Sequence, residues 1–106
     1  IVETIEDLEK NNIVGPLAGH AGDGNFHVSL MIDTNNKEEL SKLDPFLDRL
    51  SERAIRMDGT CTGEHGIGQG KRKYMYKELG NTVDFMKDIK KSFDPNLIMN
   101  PGKLFL

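Results

Sequence analysis

Ten of the eleven glycines in this chain fall in three places, positions 15–24, 59–70 and 80. Glycine weakens helix interiors and is favoured where the backbone must turn through positive φ or approach another segment closely. The distribution therefore divides the chain into a helical start, a turn-rich segment, a long helical stretch, a second flexible loop and a helical end. Composition then excludes several classes. With 14 Lys+Arg against 17 Asp+Glu the net charge is −3, which does not supply the concentrated basic face that nucleic acid requires. An apolar run such as Leu30-Met31-Ile32 falls far short of the roughly 20 residues of a membrane helix. No basic start with an apolar core and cleavage site is present, so no signal peptide is expected. A length of 106 residues suits one compact domain. The single Cys61 excludes an internal disulfide, fits a reducing compartment and reads as a buried small side chain. The chain opens without Met directly in a helical pattern, and so reads as a piece of something longer.

The periodicities predict an α+β order of elements. Residues 1–11 place Ile1, Ile5 and Leu8 on one stripe, and Asn11-Asn12 end that helix. Residues 13–19 read as an edge or irregular strand because of Pro16. From Asn25 to Asp33, Phe26, Val28, Leu30 and Ile32 alternate with His27, Ser29, Met31 and Asp33, the pattern of a half-buried strand. Asp23-Gly24 between the two strands signals a two-residue hairpin turn. That turn pairs His20 with His27, their Cβ atoms about 4.5–5.5 Å apart, whereas a bulge would change the pairing. Residues 36–57 form an amphipathic helix with Leu40, Leu43, Leu47, Leu50, Ala54 and Met57 on its stripe. Asp44-Pro45 either kinks this helix or starts its main part. A loop over 58–70, short helices over about 71–79 and 82–93, and a turn-rich end complete the chain.

Chemistry concentrates in the turns. The core claim of Phe26, Val28, Leu30 and Ile32 turns His27 to the opposite face, where a paired His20 would meet it. Two imidazoles side by side suit a borderline metal, and they also suit a polar surface ladder. The second cluster runs Gly59-Thr60-Cys61-Thr62-Gly63-Glu64-His65-Gly66-Ile67-Gly68-Gln69-Gly70. It fails as a phosphate loop, because His65 stands where a glycine is needed and Arg72 replaces the Ser/Thr. It fails as a dinucleotide fingerprint as well, since the sixth position is Lys71. What it offers is Glu64-His65 on a flexible backbone, or simply a glycine-rich connector. The run Lys71-Arg72-Lys73 reads as a solvated helix face, with attraction of an anionic substrate or cofactor as its alternative.

Three segments in order, His20-Ala21-Gly22-Asp23-Gly24-Asn25-Phe26-His27, Gly59 to Gly68, and Met99-Asn100-Pro101-Gly102-Lys103, resemble one family. It is the C-terminal part of FAD-linked oxidases, in the D-lactate dehydrogenase and glycolate oxidase subunit group of the vanillyl-alcohol oxidase-type flavoproteins. The resemblance implies a single C-terminal fragment over residues 1–106, part of a ferredoxin-like cap and substrate region, with the FAD-binding domain upstream in the same chain. It implies oxidation of a D-2-hydroxy acid with two electrons passing to FAD. By matching position it assigns His20, His27 and Glu64 to a divalent metal (Zn, Mn or Fe), His65 to the general base, and Asn100 to the flavin. A 2-hydroxy acid can chelate one cation through its carboxylate and hydroxyl, and two imidazoles with one carboxylate leave positions open for it. Adjacent Glu64 and His65 would then point to metal and substrate respectively. Relatives acting on 2-hydroxyglutarate carry Asn where this chain has Ser29, which favours D-lactate or glycolate.

The same resemblance leaves the electron acceptor open and implies a cytoplasmic protein, or one at the membrane periphery through that acceptor. This stretch alone is expected neither to hold FAD firmly nor to turn over. Two rival readings remain open on the residues. One is a stand-alone metal-binding or metal-hydrolase module using His20, His27 and Glu64. The other is a structural cap in which the histidines only support packing.

Overall fold

Helix α1, Val2–Lys10, ends where its two asparagines place it. Asn12 takes φ 51°. The Ile13 N–H returns to the Leu8 carbonyl at 2.9 Å and the Asn12 N–H to the Glu9 carbonyl at 3.1 Å, the two bonds of a Schellman ending. Of the expected stripe on α1 Leu8 is buried, with Thr4 and Asp7 beside it, whereas Ile1 and Ile5 are exposed. Asp7 can be buried because Arg49 meets it with a forked pair of bonds, Nε to Oδ2 at 3.0 Å and Nη2 to Oδ1 at 2.7 Å. Asn11 adds a third donor to Oδ1 at 2.7 Å. The carboxylate in turn holds the Arg49 guanidinium above its ordinary range, chiefly through the hydrogen bond.

The computed structural model describes residues 1–105. They form four α-helices and a two-stranded antiparallel sheet, so the α+β expectation holds among the described residues. Two compact units divide the chain, Ile1–Leu50 and Ser51 onwards.

In the first unit, strand β1 (Leu17–Ala18) pairs with β2 (His27–Val28), and an isolated bridge joins Val14 to Met31. The alternation expected over residues 25–33 appears from Val28 onward, where Val28, Leu30 and Ile32 are half-buried and Ser29, Met31 and Asp33 exposed, although the strand itself covers only His27–Val28; residues 13–18 alternate as well. Ile13, Gly15 and Leu17 are half-buried while Val14, Pro16 and Ala18 are exposed. Gly15 is required by close approach. A Cβ there would lie 2.9 Å from Val28 Cγ1 and 3.1 Å from both Leu30 Cδ2 and Leu8 Cδ2, so its absence lets the sheet face meet α1.

Helix α2, Lys37–Arg56, starts on Asn36, whose side-chain oxygen accepts the Glu38 N–H at 3.0 Å. Glu39 ties this cap to the preceding turn by accepting the Asp33 N–H at 2.9 Å. Pro45 lies inside the continuous helix, so Asp44 does not open a new one. The stripe is also rotated from the expected one. Phe46 is fully buried with Leu43, Leu50 and Ala54 half-buried beside it, while Leu40, Leu47 and Met57 are exposed. The helix ends on Asp58 at φ 57°, with the Gly59 N–H returning to the Ala54 carbonyl at 2.9 Å.

In the second unit, a 3-10 turn at Arg72–Tyr74 leads into α3 (Met75–Leu79), and α4 covers Thr82–Phe93. Gly80-Asn81 separates the helices, as expected. Cys61, Tyr74, Met75 and Val83 form the buried apolar set of this unit.

Candidate functional site

The first motif lies in the first unit, and its register corrects the expectation. Ala18, not His20, stands opposite His27, and Leu17 stands opposite Val28. The connection is therefore residues 19–26 instead of a two-residue turn. Its centre is a 3-10 turn, Ala21–Asp23, closed by Gly24 at φ 72°. The His20 carbonyl accepts the Asp23 N–H at 2.9 Å and the Asn25 N–H at 3.2 Å. Asp23-Gly24 thus acts as the end of a helical turn, where only the glycine needs positive φ. Gly19 makes this geometry possible. A Cβ on it would sit 2.5 Å from Phe26 Cα and 2.6 Å from the Asn25 carbonyl oxygen. His20 is consequently exposed at the head of the turn, and His27 is half-buried on β2. A sheet ladder does not hold the two imidazoles together. The additional glycine at 19 was the sequence signal for a longer connection.

The second and third motifs both lie in the second unit, and several bonds join them. The Leu104 N–H donates to the Gly68 carbonyl at 2.8 Å. Arg72 donates from Nε to the Gln69 carbonyl at 3.2 Å and from Nη1 to the Gly102 carbonyl at 2.9 Å. The Asn100 carbonyl accepts the Lys103 N–H at 3.2 Å, making a turn in which Asn100 has φ 48°. Reading the Lys71-Arg72-Lys73 run as a solvated face missed this role. Arg72 bonds both chain segments, and Lys71 donates from Nζ to the Cys61 carbonyl.

Glu64 and His65 sit beyond the start of the same loop. Their side chains meet, with His65 Nε2 3.3 Å from Glu64 Oε1. Both are open to solvent, His65 at 78% and Glu64 at 48% side-chain exposure. Gly66 at φ 76° then turns the backbone away. Behind them the loop is anchored by Glu78, whose Oε2 accepts the Cys61 N–H at 2.9 Å. Desolvation pushes the Glu78 carboxyl up, but hydrogen bonds from Cys61 and Thr60 and the charge of Lys71 outweigh it, leaving Glu78 below its ordinary range. Burial, with the bond and charge of Glu78, pushes the Cys61 thiol up to about 11. Cys61 is thus a protonated, enclosed side chain, as expected. Thr62 Oγ1 is enclosed without a hydrogen-bond partner, alone in this among the described residues.

Asp94 organises the approach to Asn100. Its carboxylate accepts the Ile98 N–H at 2.9 Å and the Met99 N–H at 3.0 Å, and Lys90 Nζ pairs with it. Asp94 is 3% exposed. The Lys90 bond foremost, then the Met99 and Ile98 N–H groups, hold its carboxyl below the usual range against desolvation. A depressed folded-state value means that this support is complete above the unfolded value of about 3.9 and is lost as pH falls through the depressed one. Asp94→Asn is therefore expected to cost the Ile98 and Met99 amides about tenfold or more in hydrogen-exchange protection at neutral pH. The parent protein should show that loss only in acid. Unchanged protection in the variant would mean that the carboxylate does not hold the segment.

Residues 1–104 match the model of the FAD linked oxidases, C-terminal domain. The chain belongs to that family. It is 53% identical over 105 residues to a probable mitochondrial D-lactate dehydrogenase of Danio rerio, covering 98% of this chain and 21% of the relative. It is 41% identical over 107 residues to the glycolate oxidase subunit GlcD of Bacillus subtilis, covering 99% of the chain and 23% of the relative. A D-2-hydroxyglutarate dehydrogenase of Stutzerimonas stutzeri is 39% identical over 90 residues, 82% of the chain and 19% of the relative. The chain thus spans about a fifth of the length of these relatives. All three motifs fall within the stretch matched to the FAD linked oxidase domain. Among the described residues no helix is long and apolar enough to cross a membrane.

Proposed function

We propose that this chain is the substrate- and metal-site portion of a flavin-dependent D-2-hydroxy-acid dehydrogenase of the D-lactate or glycolate type. The observation that carries the reading is the joining of the Glu64-His65 loop to the Asn100 turn through the Leu104–Gly68 bond. This brings the proposed proton acceptor and the proposed flavin contact into one folded piece. Similarity to the D-lactate and glycolate relatives, together with Ser29, supports those substrates over 2-hydroxyglutarate. A stand-alone metal hydrolase would leave the Asn100-Pro101-Gly102-Lys103 turn without a task.

The donor chemistry fits a borderline divalent ion: two imidazoles and one carboxylate, with His20 and Glu64 exposed and His27 half-buried. His20, His27 and Glu64 would hold it. Bound FAD supplies the two-electron acceptor, and a divalent metal supplies positive charge that favours ionisation of the substrate hydroxyl. His65 takes the hydroxyl proton at a ring nitrogen while the α-carbon gives up its hydride, leaving a 2-oxo acid. The exposure of His65 lets it reach a substrate arriving from solvent. Asn100, in its turn, would contact the flavin.

The reading is tested on the full-length protein, purified with its flavin and mixed anaerobically with hydroxy acids. D-Lactate or glycolate is expected to bleach the visible flavin band, and L-lactate to leave it intact. A preparation without flavin, or a flavin that neither acid bleaches, overturns the proposal.

A further inference from the structure

We propose that Arg72 is a positioning residue, its guanidinium setting the spacing between the loop that carries Glu64-His65 and the turn that carries Asn100. The inference deepens the reading above and rests on it for the meaning of those two segments. Three observations carry it. Arg72 donates through two different nitrogens to two carbonyls that are far apart in sequence, Gln69 at 3.2 Å and Gly102 at 2.9 Å. A backbone bond between the two segments, Leu104 N–H to Gly68 carbonyl at 2.8 Å, lies beside the residues that Arg72 bonds. Both bonded segments turn through positive φ, at Gly66, Gly68, Asn100 and Gly102. Such backbone carries no helical or sheet ladder, so beyond that single backbone bond the spacing of the two segments rests on the side-chain bridge of Arg72.

A rigid planar fork can hold two acceptors at one separation, and a lysine ammonium on a flexible stem cannot reproduce that spacing. Arg72→Lys therefore preserves the charge and removes the geometry. This separates positioning from the alternative in which the Lys71-Arg72-Lys73 run merely attracts an anion, where charge alone matters.

The experiment compares Arg72→Lys, Arg72→Gln and Lys73→Gln in the FAD-loaded full-length protein. Both Arg72 variants are expected to lose about 10²-fold in kcat with KM within about twofold, because misplacing reacting groups by about an ångström costs that much. An α-deuterated substrate should show a larger isotope effect in them than in the parent, and Lys73→Gln should keep parental kcat. A general loss of folding would not produce that split. Amide exchange at Leu104 gives a readout independent of turnover and of flavin loading, and should accelerate about tenfold or more in Arg72→Lys. Parental kcat in Arg72→Lys, equal rises in KM for Arg72→Gln and Lys73→Gln, or unchanged Leu104 protection would each overturn the proposal. If exchange accelerates while the parent flavin is bleached by neither acid, the bridge stands and the proposed function falls.

Discussion

Replacing His65 by alanine in the full-length protein is expected to lower turnover by about 10²–10⁴-fold, the usual contribution of a general base. The expectation rests on the position of the imidazole as well as on its chemistry. It is 78% exposed and touches Glu64, so its removal opens no cavity in the apolar core. Flavin content and thermal midpoint should stay near those of the parent, which separates a lost proton acceptor from a lost fold. Stopped-flow reduction of the flavin by D-lactate is the direct measurement. Near-parental reduction by His65→Ala would remove His65 from the mechanism and leave the remaining site residues to be reassigned.

Phe46→Ala is expected to destabilise the protein by about 3–5 kcal/mol, the range for truncating a buried aromatic side chain. Phe46 has no exposed surface, so nothing restores its lost contacts on one side of α2. Leu47, the next residue, is 36% exposed and should cost about 1 kcal/mol or less when truncated. Chemical denaturation read as a shift of midpoint at constant slope distinguishes the two. Equal effects at both positions would place the packing face where the leucine spacing put it, not where the structure does.

That contrast shows how far the amino-acid pattern reaches. Helix limits were legible where punctuation is strong. Gly80-Asn81 separates α3 from α4, and Asn11-Asn12 closes α1 through a positive-φ residue. The phase of α2 was not legible, because Leu40, Leu47 and Met57 share their three-and-four spacing with Leu43, Leu50 and Ala54. Only burial of Phe46 chooses between neighbouring stripes. The register of β1 and β2 was not legible either, since Asp23-Gly24 suits the end of a 3-10 turn as well as a tight hairpin.

In the candidate site, Glu64, His65 and Asn100 were visible as chemistry-bearing residues in glycine-rich or turn-forming settings. Their supports were hidden for a physical reason. Arg72 reaches a carbonyl thirty positions away and Glu78 an amide seventeen away, and both acceptor and donor are backbone groups without a side-chain signature. Asp94 was more nearly readable. Followed by Pro95-Asn96, it bonds amides only four and five residues on.

The seclusion of Cys61 gives the reactive loop a chemical clock. Cys61 is 6% exposed and its thiol stays protonated up to about pH 11, so an alkylating reagent finds a nucleophile only during excursions that uncover it. The pace of alkylation at that one atom counts how often Thr60 and Cys61 let go of Glu78 and Lys71.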